Sequence, residues 1–204
     1  MYQTRQESSK LLPIPRKGTK YVAKASSNPD ISIPVVIAVR DILHLAKTAD
    51  EVKMMIKQKS LKINGKVVRE YKESIHLLNL FEADKMYRLT FIETKKFSLE
   101  ESKDKDSRIC KVVSRRQYKG NKIQLNLHDG TNVLTTDKKI KVNDSVILDL
   151  SNKIKNHLVF DKGKIALVFK GKYLGKKVKI KEIEENFAQI EGLTKIDKSR
   201  LILI

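Results

Sequence analysis

Cations dominate the residues that could do chemistry. Between residues 40 and 69 stand Arg40, Lys47, Lys53, Lys57, Lys59, Lys62, Lys66 and Arg69, with Thr48 and Asn64 among them. Arg16, Lys17 and Lys20 lie near the start, and Lys170, Lys172, Tyr173, Lys176 and Lys177 crowd a glycine-flanked stretch near the end. Such a set is suited to neutralising phosphates: ammonium and guanidinium groups meet the charge, hydroxyl and amide groups add hydrogen bonds, and an aromatic ring can stack on a base. The surplus is not confined to a tail. Residues 1–95 carry 18 basic and 10 acidic groups, and residues 96–204 carry 25 and 14, for a net charge of +19. Spread over folded segments, that excess repels itself unless a polyanion neutralises it, and nucleic acid is the leading partner.

Other chemistries find little support. The four histidines, His44, His76, His128 and His157, show no pairing at metal-ligand spacing, and the single cysteine, Cys110, completes neither a zinc site nor a disulfide. His128-Asp129-Gly130 has an acid–base look, but Asp-Gly is chiefly a turn signal and no nucleophile or cofactor motif accompanies it. Cys110 lies between Arg108 and Lys111, two cations that could lower its pKa, although a small strand residue facing a core is the expected role. "KGKYLGKK" lacks the spacing and the ending of a phosphate-binding Walker loop. No catalytic residue, metal, cofactor or small-molecule substrate is therefore expected. One cysteine, no apolar signal core at the N-terminus and no run of membrane-spanning length suggest a cytoplasmic protein without a membrane partner.

The elements that must position these cations follow from local patterns. Residues 1–31 hold Pro13, Pro15 and Pro29 and read as an irregular basic extension. Pro34 can open a helix, and Val35, Val36, Val39, Ile42, Leu43 and Ala46 recur at helical spacing. Thr48 and Glu51 form a capping-box pattern ahead of a second helix over 49–58, with Ala49, Val52, Met55 and Ile56 on one face. In "SLKINGKVVREYK" the Asn64-Gly65 pair between alternating runs predicts a tight hairpin. "IHLLNLF" and "KMYRLTFI" read as strands, and "KFSLEESKDKDS" as a charged break. Beyond it short strands with turn signals at Gly120-Asn121, Asp129-Gly130 and Ser151-Asn152 suggest small barrels, and Val178, Ile180 and Ile183 alternate with Lys177, Lys179 and Lys181.

Two helices followed by a basic hairpin give a recognisable order. "VRDILHLAKTADEVKMMIKQKSLKINGKVVREYK" resembles the small RNA-binding module found in a ribosomal protein, some pseudouridine synthases and tyrosyl-tRNA synthetases. "LPIPRKGTKYVAKASSNPDISIPVVIAVRDIL", "LNLHDGTNVL", "IKVNDSVILDL" and "GKIALVFKGKYLGKKVKI" follow in the order of the S4e family, the archaeal and eukaryotic type of small-subunit ribosomal protein four. The similarity covers nearly the whole chain. It implies a α+β protein: a basic extension (1–31), a helix–helix–hairpin RNA-binding module (32–95), a central β domain (96–160) and an SH3-like barrel with a KOW motif (161–204). The family's hairpin signature falls on Ile63 to Val67, its basic positions on Arg40, Lys47 and Lys53, its "IPRK" on Ile14 to Lys17, and its loop glycines on Gly171 and Gly175, with Gly65 at the hairpin turn. Val178 stands where the family has a further glycine, and Tyr173 where it usually has asparagine. The first dozen residues, "MYQTRQESSKLL", are less basic than the family's usual arm, and with the ending "RLILI" in place of a basic tail they suggest a shortened archaeal member.

The resemblance implies a non-enzymatic structural constituent of the small ribosomal subunit, bound to the 5′ region of its RNA and to neighbouring ribosomal proteins. An RNA-modifying enzyme, or a translation- or transcription-linked factor using the same module, is the alternative.

Overall fold

The structure, a computed structural model, describes residues 2–102, 104, 106–118, 120–192 and 195–204. Lys103 and Lys105 of the expected charged break, Lys119 before Gly120 and Leu193 of the last expected strand but one lie outside them. Two compact units are present, Met1–Lys105 and Asp106–Ile204. Strands far outnumber helices, so the chain is mainly β with two short helices and several antiparallel sheets.

In the first unit the order is β1 (Tyr2–Thr4), β2 (Tyr21–Ala23), β3 (Ser32–Pro34), α1 (Val35–Ile37, widening into a π-type turn over Ala38–Ile42), α2 (Ala49–Lys57), β4 (Lys62–Ile63), β5 (Lys66–Val67), β6 (Ser74–His76), β7 (Leu80–Glu82), β8 (Met86–Phe91) and β9 (Phe97–Glu101). A five-stranded sheet runs β5-β4-β7-β8-β9, and β1-β2 and β3-β6 form two small sheets. Several expectations are corrected here. Residues 1–31 are not irregular throughout, because Tyr2↔Ala23 to Thr4↔Tyr21 pair as an antiparallel ladder. The first helix does not reach Ala46: Pro34 is extended and paired with Ser74, Leu43 N bonds back to Ala38 O, and His44 sits at φ 54, which ends the helix. Val35 to Val39 are all buried, so the segment has no solvent face for an amphipathic helix to show. "IHLLNLF" splits into β6 and β7 at Leu78, whose φ is 62. The stretch read as a charged break carries β9, zipped to β8 from Phe91↔Phe97 to Tyr87↔Glu101 and secured by stacked Phe91 and Phe97 rings 4.8 Å apart.

Local signals held where they were strongest. The Thr48 hydroxyl accepts from Glu51 N, and the Glu51 carboxylate accepts from Thr48 N, a complete capping box at the start of α2. That helix buries Val52 and half-buries Ala49, Met55 and Ile56. It ends in a six-residue reverse bond, Ser60 N to Met55 O, with Lys59 N bonded to Ile56 O and Lys59 at φ 59, a position that glycine usually fills. Asn64 and Gly65 have φ 50 and 78, as a two-residue hairpin turn between β4 and β5 requires.

The second unit holds two sheets. β10 (Ser107–Gln117), β11 (Ile123–Leu127), β12 (Asn132–Thr135), β13 (Ser145–Asp149) and β14 (Ile154–Leu158) run in the order β12-β11-β10-β13-β14 around a core of Cys110, Val112, Leu125, Val146 and Leu148. β15 (Ile165–Val168), β16 (Lys177–Ile183), β17 (Phe187–Ile190), β18 (Ile196–Asp197) and β19 (Leu201–Leu203) run β18-β17-β16-β15-β19 around Ala166, Val168, Ile180, Ala188 and Leu201. Along β16 the lysines face out and Val178 and Ile180 face in, as the alternation requires. Val178 therefore packs into the core, at the position where the resemblance implied a glycine.

Candidate nucleic-acid interface

In the first unit the predicted cations divide into those that carry a partner and those that do not. Arg40 is held by its neighbour, with Nε and Nη2 on the Asp41 carboxylate at 3.0 and 2.8 Å, and this bond raises its pKa further. Lys62 reaches Glu82 across the ladder at 3.0 Å, and Lys53 reaches Asp50 at 2.7 Å. Lys47, Lys57, Lys59, Lys66 and Arg69 are exposed, and among the described residues no ion pair engages them. Lys57 ends α2, Lys59 occupies the turn after it, and Lys66 lies on β5, the edge strand of its sheet. These free cations follow one another through the turn and the hairpin.

Two polar residues grouped with them have structural duties. The Thr48 hydroxyl is spent on the cap, and Glu51 takes the Lys47 amide at 2.7 Å, so α2 presents a carboxylate at its N-terminus. Those amide bonds hold Glu51 below its ordinary pKa. An acidic first turn of Asp50 and Glu51 already complements the helix dipole and disfavours a phosphate there. The Asn64 side-chain Oδ1 accepts from Leu80 N at 3.0 Å, while Asn64 N donates to Leu80 O at 2.9 Å, tying the turn to β7. Gly65 is required by the turn itself.

Arg16, Lys17 and Lys20 are exposed on the loop between β1 and β2. The residue that shapes this loop was not singled out from the sequence. Arg5 donates to Pro15 O at 2.6 Å, Thr19 O at 2.8 Å and the Thr19 hydroxyl at 3.1 Å. A methyl group on Gly18 would lie 2.8 Å from its guanidinium, so arginine and glycine fit each other. Only the spacing of Arg5 to Pro15 and Thr19 could have signalled this, and spacing alone names no partner. A second cluster was also missed. The Tyr2 and Tyr71 hydroxyls bond at 2.9 Å, and Lys72 lies 3.8 Å from the Tyr2 ring centroid.

In the second unit the loop joining β15 to β16 carries Lys170, Lys172, Tyr173 and Lys176, and Lys177 opens β16. Gly171 and Gly175 have φ 97 and 85, and Gly175 N closes the loop on Val168 O at 2.8 Å. All four lysines are exposed, whereas Tyr173 is half-buried against the barrel core. Its ring has Lys172 and Lys176 at 5.8 and 5.9 Å from the centroid. An open groove beside it is lined by Tyr173, Lys179, Lys181, Gln189 and Glu191.

The residues with an enzymatic look form a buried polar network instead. Arg108 Nη1 meets Asp129 Oδ2 at 2.6 Å with both side chains almost wholly buried, and Arg108 Nη2 meets Asn152 Oδ1 at 2.6 Å. Burial opposes ionisation of Asp129, but Arg108, His128 and the Thr131 amide outweigh it and hold the carboxyl below its usual range. Cys110, His128 and Asp129 bring their ligand atoms within 4.8 Å of one another. The guanidinium already supplies the cation there, and His128 Nδ1 accepts from Lys111 N at 3.1 Å. The Cys110 thiol is not activated by its neighbours: burial, with Asp129 adding, pushes its pKa well up. His157 Nε2 pairs with Asp144 at 2.7 Å, a structural role. Among the described residues no helix is long and apolar enough to cross a membrane.

Comparison with known proteins fits this picture of a basic, mainly β chain. Residues 83–155 match the family described as Ribosomal family S4e. The chain is 33% identical to small ribosomal subunit protein eS4 of Methanocella arvoryzae over 84% of this chain and 76% of the relative. It is 31% identical to the eS4 protein of Archaeoglobus fulgidus over 94% of this chain and 86% of the relative. The crystal structure of 30S ribosomal protein S4e from Thermoplasma acidophilum superposes with a TM-score of 0.74 at 25% identity, covering 85% of this chain and 94% of that one. Length, sequence and fold agree along most of the chain, which belongs to the S4e family of small-subunit ribosomal proteins, structural components and not enzymes.

Proposed function

We propose that the chain binds small-subunit ribosomal RNA, in its 5′ region, and contacts neighbouring small-subunit proteins. Its basic extension, helix–helix–hairpin module, central β domain and C-terminal barrel, read as SH3-like and of KOW type, serve as separate modules that fix RNA segments in place. RNA helices are recognised largely by shape and backbone, so exposed lysines suffice and no base-reading cleft is needed. The RNA contacts we assign are Arg16, Lys17 and Lys20 on the Arg5-shaped loop, Lys57, Lys59, Lys66 and Arg69 through the turn and hairpin, and Lys170, Lys172, Lys176 and Lys177 around Gly171 and Gly175. Lys47 joins them directly, and Lys53, Arg40 and Lys62 at the cost of loosening surface pairs, which are individually weak. Thr48, Asn64 and Tyr173 shape these surfaces more than they touch RNA.

The observation that carries the reading is the run of exposed cations, Lys57, Lys59, Lys66 and Arg69, whose charged groups no ion pair engages among the described residues. A structural role would reward pairing; leaving them open costs repulsion that only a polyanion removes. Reversing Lys57, Lys66 and Arg69 to Glu together tests it. We expect a folded protein that fails to enter small subunits in a reconstitution followed by sedimentation. Normal incorporation would place the RNA on another surface.

A further inference from the structure

We propose that Tyr2 and Tyr71, flanked by Lys72 and Lys53, form a stacking site for one unpaired nucleobase. The proposal rests on the RNA-binding reading above and names what one part of that surface takes. The two tyrosines are 69 residues apart, yet their hydroxyls bond at 2.9 Å. The Lys72 ammonium lies 3.8 Å from the Tyr2 ring centroid and 5.1 Å from that of Tyr71, and Lys53 lies 5.4 Å from the Tyr71 centroid. Despite these contacts Tyr2 remains 60% exposed.

An ammonium so near the centroid covers one face of the Tyr2 ring. The exposure therefore belongs to the other face and the edges. A ring left that open adds little to a core, and Tyr2 is already held by its backbone ladder to Ala23. Its hydroxyl bond to Tyr71 fixes the ring's orientation, so little conformational freedom remains to be lost when a flat partner arrives. Nucleobases are such partners: each has a π-face whatever its identity, and their backbone brings phosphates alongside. Aromatic rings interleaved with cations are the usual construction of single-stranded nucleic-acid sites. Lys72 and Lys53 supply the cations. Lys53 is shared with Asp50 at 2.7 Å, but that pair is solvent-exposed and a phosphate can replace the carboxylate. A lipid surface is a poorer fit, since a membrane-binding face sets bulky apolar groups opposite lysines and this cluster offers two polar phenols.

The test compares two probes on the intact chain, an oligoadenylate of about eight nucleotides and an abasic ribose-phosphate oligomer of equal length, in about 0.15 M salt. The wild type should bind the oligoadenylate about 10-fold more tightly, the size of one base-stacking contact. Tyr2→Ala should abolish that preference, and Tyr2→Phe, which keeps the ring, should restore it. Ring-proton resonances of Tyr2 in the unsubstituted chain should move upfield with the oligoadenylate and stay with the abasic oligomer, which decides the matter even where a variant folds poorly. Equal affinity for the two oligomers, an unmoved Tyr2 resonance, or a preference that survives Tyr2→Ala overturns the stacking site. Those results leave the ribosomal RNA reading standing. That reading falls separately, if small-subunit RNA binds no better than heparin.

Discussion

Lys111 is buried in the second unit with its ammonium donating to the backbone carbonyls of Lys198 and Leu201 at 2.5 and 2.7 Å. It thereby ties β10 to the segment that leads into β19. The Phe169 ring is 5.6 Å away. Burial lowers its pKa to about 7, with Asp197 pulling the other way. An unfolded lysine titrates near 10.4. Between those two values the unfolded chain takes up a proton that the folded chain refuses, so stability rises as pH climbs from about 7 towards 10; below the folded pKa both states are charged and the dependence disappears. Urea unfolding measured from pH 7 to about 9.5 should show this rise, and Lys111→Met should flatten it. An unchanged slope in Lys111→Met would assign the pH dependence to another group. This role could not be read from "RICKVV", where Lys111 looks like one more surface cation. Alternation does place Cys110 and Val112 inward, but a bulge between Val112 and Ser114, and the carbonyls of residues some ninety positions later, decide where the lysine ends.

Elements written in adjacent residues were legible, and those that depend on distant partners were not. The capping box of α2, the Asn64-Gly65 turn and the outward lysines of β16 each follow from a few neighbouring side chains. β1 and β2 are short and become strands only by pairing with each other across a basic loop, and β3 does so by pairing with Ser74 to His76. The end of α1 was misjudged because period alone marked a helix, while burial of Val35 to Val39 and the left-handed His44 set its limit. The same distinction divides the interface. Basic positions can be read from the chain, but which of them are paired, and which polar residues are occupied by caps and turns, depends on the fold. Thr48 makes this testable. Thr48→Ala should cost about 1 kcal/mol of stability through the lost cap, and should leave the affinity of the folded protein for ribosomal RNA unchanged. A loss of affinity without a loss of stability would return Thr48 to the RNA contacts.

Taken whole, the molecule has two units, each with its own surplus of exposed cations, at a net charge of +19. Neither unit contains, among its described residues, a site with the open, activated groups that catalysis needs; the best-placed candidates are locked into the Arg108–Asp129 network. On the RNA-binding reading proposed above, the exposed cations are the functional surface, and their hold on RNA must depend on ions in solution. Each phosphate neutralised releases condensed counterions and adds roughly −0.7 to −0.9 to the slope of log affinity against log salt. The most direct test is a titration of the intact chain with a small-subunit ribosomal RNA fragment across a series of salt concentrations. A slope of about −4 or steeper, reporting some five or more phosphates held at once, is the expected result. A slope near zero would contradict the account, because the exposed lysines would then be solvated surface and not the means by which the protein holds RNA.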